Sequence, residues 1–89
     1  MKRKQYVLFG EFDSNSYSDY CIVDTINKLH TSYFYSLIDV LSNLIDKNNY
    51  IKNKGRINFI LNNKIFPGDQ IILESDIPIT AENYPELLI

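Results

Sequence analysis

Residues 32–47 read SYFYSLIDVLSNLIDK, and this stretch organises the fold that the sequence predicts. When it is placed on a helix at about 100° per residue, its apolar side chains share one side. They are Phe34, Leu37, Ile38, Leu41, Leu44 and Ile45. The opposite side carries only Ser, Asp and Asn, and a stripe this wide is typical of a helix that packs on a sheet. We expect Thr31 or Ser32 to supply the N-cap and Lys47 to lie at the C-terminal end.

Two strands are predicted before this helix. Residues 6–12 are apolar on both sides, which indicates a strand in the middle of the sheet. Residues 20–26 are ambiguous, because Ile22, Ile26 and Leu29 also fall at a helical spacing. The β-branched side chains in this segment favour a strand that pairs with the first one.

After the helix the sequence predicts further strands. Residues 56–61 alternate between apolar and polar side chains, and Asn62-Asn63 fits a two-residue hairpin turn because Asn tolerates positive φ. Residues 64–66 return from that turn, and residues 70–75 form another strand. Residues 77–79 suit only an edge or an extended tail, because the proline there donates no hydrogen bond.

The predicted fold is therefore a single α+β domain, residues 1–89, with the element order β-β-α-β-β. One long amphipathic helix packs on a mainly antiparallel sheet of four to five strands. The stretch GRINFILNNKIFPGDQIIL, residues 55–73, looks like the strand, hairpin and turn that follow the helix in ubiquitin-like folds. This resemblance of pattern implies a β-grasp-like roll, and it concerns the fold alone.

The composition argues against several kinds of chemistry. A single histidine rules out a His-pair metal site, and a single cysteine rules out an intramolecular disulfide. The three glycines, at positions 10, 55 and 68, are too far apart for a phosphate-cradling loop. We expect no cofactor, no metal and no catalytic residues, and hence a protein that is not an enzyme. No apolar run has the length of a membrane span or a signal peptide, so a cytoplasmic location is expected.

Charge is distributed in blocks along the chain. Residues 47–64 carry five cations and no acid, whereas residues 65–89 carry five acids and no cation. Residues 11–46 carry six acids and one lysine. Acidic blocks that share a face would attract a basic partner, and exposed tyrosines would add contact area. The candidate partner-binding residues are Asp13, Asp19, Asp24, Tyr17, Tyr20, Tyr35, Glu74, Asp76, Glu82 and Glu86.

These features favour a small protein-binding inhibitor. Our first hypothesis is an immunity or antitoxin protein that neutralises a cognate toxin, a basic nuclease, by presenting carboxylates in place of phosphates. The alternative is a phage or mobile-element protein that blocks a host defence nuclease, as anti-CRISPR proteins do. The many Asn, Lys, Ile and Tyr residues are typical of an AT-rich gene and suit a bacterial or a phage source.

A hypothesis from another class is a small nucleic-acid-binding module that uses the basic segment 47–64. Its candidate residues are Lys52, Lys54, Arg56 and Lys64. The isoelectric point near 5.2 and the two acidic blocks argue against this hypothesis, because they would repel phosphates. The sequence leaves open the identity of the partner and the oligomeric state.

Overall fold

The computed structural model describes residues 3–12, 17–43, 45 and 54–89. The strands are β1 (Tyr6–Phe12), β2 (Tyr17–Asp24), β3 (Leu29–His30) and β4 (Asp69–Ser75). The helices are α1 (Leu37–Leu41), α2 (Gly55–Leu61) and a 3-10 helix (Pro85–Leu88). The strands form one antiparallel sheet in the order β3-β2-β1-β4. The predicted α+β class with an antiparallel sheet is therefore confirmed.

Strand β1 lies in the middle of the sheet because both of its faces are apolar. Val7 and Phe9 point to one face and Leu8 to the other, and all three side chains are fully buried. β1 pairs with β2 on one side and with β4 on the other. The predictions of a central first strand, of a strand within 20–26 and of a strand over 70–75 are confirmed by β1, β2 and β4.

Each face of the sheet is covered by a different part of the chain. On the α2 face, Ile57 and Ile60 pack on Val7, Phe9 and the strand β2. On the opposite face, which we call the α1 face, α1 and residues 76–89 pack on a second cluster. Its buried members are Leu8, Ile22, Val40, Leu41 and Ile79. The sheet is thus the middle layer of three, and burial of each large apolar side chain contributes about 1.5–3 kcal/mol.

The long helix predicted over residues 32–47 is wrong. Helix α1 has five residues, and its N-cap is Ser36, whose Oγ accepts a hydrogen bond from the backbone N–H of Asp39 at 3.2 Å. Residues 31–34 are extended instead, and Phe34 exchanges two backbone hydrogen bonds with Tyr20, at 2.6 and 2.8 Å. Tyr33 and Phe34 then pack on opposite faces of the sheet, which a helix would not allow. Thr31 and Ser32 therefore do not cap the helix, and Lys47 lies outside the described residues.

The strand predicted over residues 56–61 is also wrong, because these residues belong to α2. Ile57, Ile60 and Leu61 satisfy a helical spacing of i, i+3 and i+4 as well as part of an alternation. Asn62-Asn63 ends this helix rather than a strand, and Asn63 has the positive φ of 59° that was expected of a turn. Residues 64–66 form no strand. With a helix at this place, the element order on which the β-grasp resemblance depends is lost.

None of the helices in the described part of the chain is both long enough and apolar enough to cross a bilayer.

Candidate functional site

The α2 face buries an ion pair. The Arg56 guanidinium donates two parallel hydrogen bonds to Asp69, from Nε at 3.0 Å and from Nη2 at 2.7 Å. It also lies over the rings of Tyr33 and Phe9, at 4.3 and 5.4 Å from their centroids. Burial lowers the pKa of Arg56, but the hydrogen bonds and the charge of Asp69 outweigh burial and raise that pKa. Arg56, a candidate residue of the alternative nucleic-acid hypothesis, therefore attaches α2 to the sheet, and its charge lies against Asp69 inside the protein.

Two more acids on this side lie beside arginines. The β1–β2 register shifts between Phe9 and Glu11, and Asp19 has a φ of 53° at this bulge. Its carboxylate lies 3.9 Å from Nη1 of Arg56. Glu74 accepts a hydrogen bond from the backbone N–H of Lys4 at 3.2 Å and lies 4.0 Å from Nη1 of Arg3. These predicted partner-binding acids are thus balanced by cations of the same chain.

Asp24 is engaged in a turn. Its Oδ1 accepts hydrogen bonds from the backbone N–H groups of Ile26 and Asn27, both at 3.1 Å, and from the Gln5 side chain at 3.2 Å. Burial raises the pKa of Asp24, but these hydrogen bonds, together with one from the Asn27 side chain, outweigh burial and lower it. Asp24 is buried and shapes the link between β2 and β3, so the predicted partner-binding role does not suit its position.

The predicted tyrosines are not brought together. Tyr17 contacts Phe12 at the end of the β1–β2 pair, with their centroids 5.1 Å apart, and both side chains are partly exposed. Tyr20 packs in the core of the α1 face. Tyr35 is 85% exposed and directly precedes the N-cap of α1. Asp13 lies outside the described residues.

The outer surface of the α1 face carries carboxylates of a different kind. Asp39, Asp76, Glu82 and Glu86 are all exposed, and none of them forms an ion pair with a described cation. The described residues in 34–45 and 76–89, which build this layer, include no Lys or Arg. Helix α1 contacts the 3-10 helix, so the two segments adjoin.

Exposed apolar side chains lie among these acids. Besides Tyr35, Ile38 is 58% exposed and Leu88 is 42% exposed. We call the whole set the acidic face; it comprises Tyr35, Ile38, Asp39, Asp76, Glu82, Glu86 and Leu88. The sequence had predicted four of these residues. It had placed Ile38 in the buried stripe of a long helix, and no pattern pointed to Asp39 or Leu88.

Of the four predicted nucleic-acid residues, the structure describes three. Lys54 and Lys64 are exposed, but they lie beyond opposite ends of α2. Arg56 between them is buried in its pair with Asp69, and Lys52 lies outside the described residues. The exposed positive charge near α2 is therefore divided between its two ends. The exposed negative charges of the acidic face, by contrast, are not separated by a cation among the described residues.

Two observations on the described residues concern metal binding and nucleophilic side chains. They contain no group of three or more His, Cys, Asp or Glu side chains that could hold a metal ion. Burial raises the pKa of the Cys21 thiol to about 12, so the nucleophilic thiolate is disfavoured. No protein-family model matches the chain, and no curated protein or solved structure matches it.

Proposed function

We propose that the protein is a non-catalytic inhibitor that binds a basic protein through the acidic face. The observation that carries this proposal is the separation of charge across the sheet. Asp19 and Asp69 lie against Arg56 and Glu74 lies near Arg3, whereas Asp39, Glu82 and Glu86 are exposed without a described cation beside them. Carboxylates that the fold does not use are available to another molecule.

The acidic face combines the two components that a protein interface needs. Tyr35, Ile38 and Leu88 supply exposed apolar and aromatic area, which gives affinity once it is desolvated. The carboxylates around them accelerate encounter with a basic surface and fix its orientation. A symmetric pair of identical copies would bring these acids against one another, so the charge favours a different, basic partner.

A nuclease is the partner class that fits this chemistry. Phosphate-binding sites are rich in Arg and Lys, and a carboxylate accepts the same charge-assisted hydrogen bonds as a phosphate oxygen. An inhibitor of this kind acts by occupying the substrate site. The nuclease is a cognate toxin if the protein is an immunity protein or antitoxin, and a host defence enzyme if the gene belongs to a phage.

The experiment begins with a tagged pull-down from the source cell, followed by purification of the captured protein. We expect one basic protein near one-to-one stoichiometry, whose nuclease activity the pure inhibitor abolishes. The triple variant Asp39→Asn, Glu82→Gln, Glu86→Gln should slow association by about tenfold or more at low salt. This difference should shrink as salt is raised, because screening weakens the attraction.

The matched control is Lys54→Gln with Lys64→Gln, which changes exposed charge beside α2 instead. This control should leave association unchanged or slightly faster. If the triple variant associates as fast as the wild type, the acidic face is not the binding surface. If the captured material is nucleic acid that the lysine variant no longer binds, the protein belongs to the nucleic-acid-binding class.

A further inference from the structure

A half-open cavity of about 240 Å³ lies on the α1 face of the sheet. Its walls are mainly apolar and include Tyr6, Ile22, Leu29, Ile45 and Ile79. These residues come from the sheet, from the segment after α1 and from the segment after β4. The cavity exceeds the roughly 150 Å³ that accommodates a benzene-sized guest in an engineered core. It is large enough for a small organic molecule.

One charged group lines this mainly apolar space. Asp24 lies on the same face of β2 as Ile22, and its residue is 4% exposed. The hydrogen bonds from Gln5, Ile26 and Asn27 that shape the turn also keep its pKa low, so the carboxylate stays ionised at neutral pH. A buried negative charge in an apolar wall is a strong acceptor, because the low local dielectric strengthens its interactions.

The hydrogen bonds of Asp24 leave capacity on one oxygen. Oδ1 accepts from three donors, whereas Oδ2 accepts from Asn27 Nδ2 at 2.8 Å. A carboxylate oxygen can accept two or more hydrogen bonds, as Oδ1 does here, so Oδ2 has room for a further donor. Two other polar side chains that line the cavity each make one hydrogen bond: Asn43 donates to the Asp39 carbonyl, and Thr80 Oγ1 accepts from the Asn83 N–H.

We propose that this cavity is a binding site for a small primary amine with a compact apolar group. The ammonium donates to Oδ2 of Asp24, and the apolar group fills the space between Ile22, Leu29 and Ile79. The cation gains a charge-assisted hydrogen bond and the apolar group leaves water. This site does not depend on the inhibitor function proposed for the acidic face.

The test compares two probes of the same size, benzylamine and benzyl alcohol, by calorimetric titration and by methyl NMR at neutral pH and low salt. We expect benzylamine to bind about tenfold more tightly, as a charge-assisted bond replaces a neutral one. The methyl signals of Ile22, Leu29 and Ile79 should shift with it. Equal affinity for the two probes, or binding that leaves these methyl signals unmoved, would overturn the proposal. So would the absence of binding by either probe.

The variant Asp24→Asn keeps an oxygen that can accept from the turn N–H groups but removes the charge. It should bind the two probes with similar affinity. The control Glu11→Gln removes one exposed negative charge from a residue of β1 that does not line the cavity, and it should keep the preference for the amine. A preference that persists in Asp24→Asn would contradict the assigned role of Asp24. Because both probes are first compared on the wild-type protein, the test does not depend on the stability of the variant.

Discussion

The two faces of the sheet use their charges in opposite ways. On the α2 face, Arg56 and Asp69 are buried and satisfied by each other, so their charges hold a helix on the sheet. On the α1 face, Glu82 and Glu86 are exposed, and their segment is attached to the sheet by apolar side chains and by a hydrogen bond between Ser75 Oγ of β4 and the Tyr84 hydroxyl. The buried charges therefore contribute to stability, whereas the exposed charges are available for binding. Substitutions on one face or the other should separate these two roles.

The largest effect is expected for the reactivity of Cys21, which is fully buried under α2. Its thiol should react with a disulfide reagent roughly a thousandfold or more slowly in the native protein than in urea, because reaction requires unfolding. Its raised pKa also has a linkage consequence. The stability contributed by the neutral thiol is fully present below pH 9 and is lost as the pH rises towards about 12. Equal labelling rates in native and unfolded protein would show that the α2 face is open.

The second prediction breaks the ion pair directly. Arg56→Met leaves the Asp69 carboxylate buried without its partner, and the free energy of unfolding should fall by about 3–5 kcal/mol. The measurement is urea denaturation at neutral pH. The double variant Arg56→Met, Asp69→Leu removes both charges and should recover much of that loss. A loss below about 1 kcal/mol for the single variant would mean that water reaches the pair.

The strands were predictable because their signal is local. Residues 6–12 are apolar on both sides, as a strand buried between two layers needs, and residues 70–75 place Ile71 and Leu73 on the side opposite Gln70 and Glu74. The helices were not predictable from periodicity. Residues 32–47 fit a long helix, but Tyr33 and Phe34 gain more by packing on opposite faces of the sheet as extended residues. That gain depends on contacts with Arg56 and Tyr20, which are distant in sequence.

Part of the candidate site was predictable because its acidic character, like the signal of the strands, is a local property of the sequence. Its acidic character follows from residues 65–89, which carry no cation, and Glu82 and Glu86 were both named in advance. Asp24 and Asp19 were predicted for the same surface, but turn N–H groups bind the carboxylate of Asp24 and the buried Arg56 lies beside that of Asp19. Whether an acid forms an ion pair or hydrogen bonds depends on contacts with residues distant in sequence. The spacing of the acids along the chain therefore does not predict it.

The third prediction concerns Asp24 and pH. Asp24→Ala removes the acceptor for two turn N–H groups and should cost about 1–2 kcal/mol at pH 7, as loss of a helix cap does. The folded pKa of Asp24 is below its ordinary value of 3.8, so its contribution is present above about pH 4 and is lost at lower pH. The cost of the variant should therefore shrink at pH 3. A cost that is independent of pH would show that the charged form is not favoured by the fold, and Glu11→Ala serves as the control.

The smallest effect is expected on the α1 face. Glu82→Gln with Glu86→Gln should change the free energy of unfolding by less than about 0.5 kcal/mol, because exposed carboxylates without ion pairs contribute little. Ile79, Tyr84 and Leu87 keep the segment packed on the sheet in the variant as in the wild type. Urea denaturation of Arg56→Met, in which a large loss of stability is expected, is the reference for the Glu82→Gln, Glu86→Gln variant. A loss above about 1 kcal/mol would place these acids among the groups that hold the fold together. The difference between the two faces, on which the binding proposal rests, would then disappear.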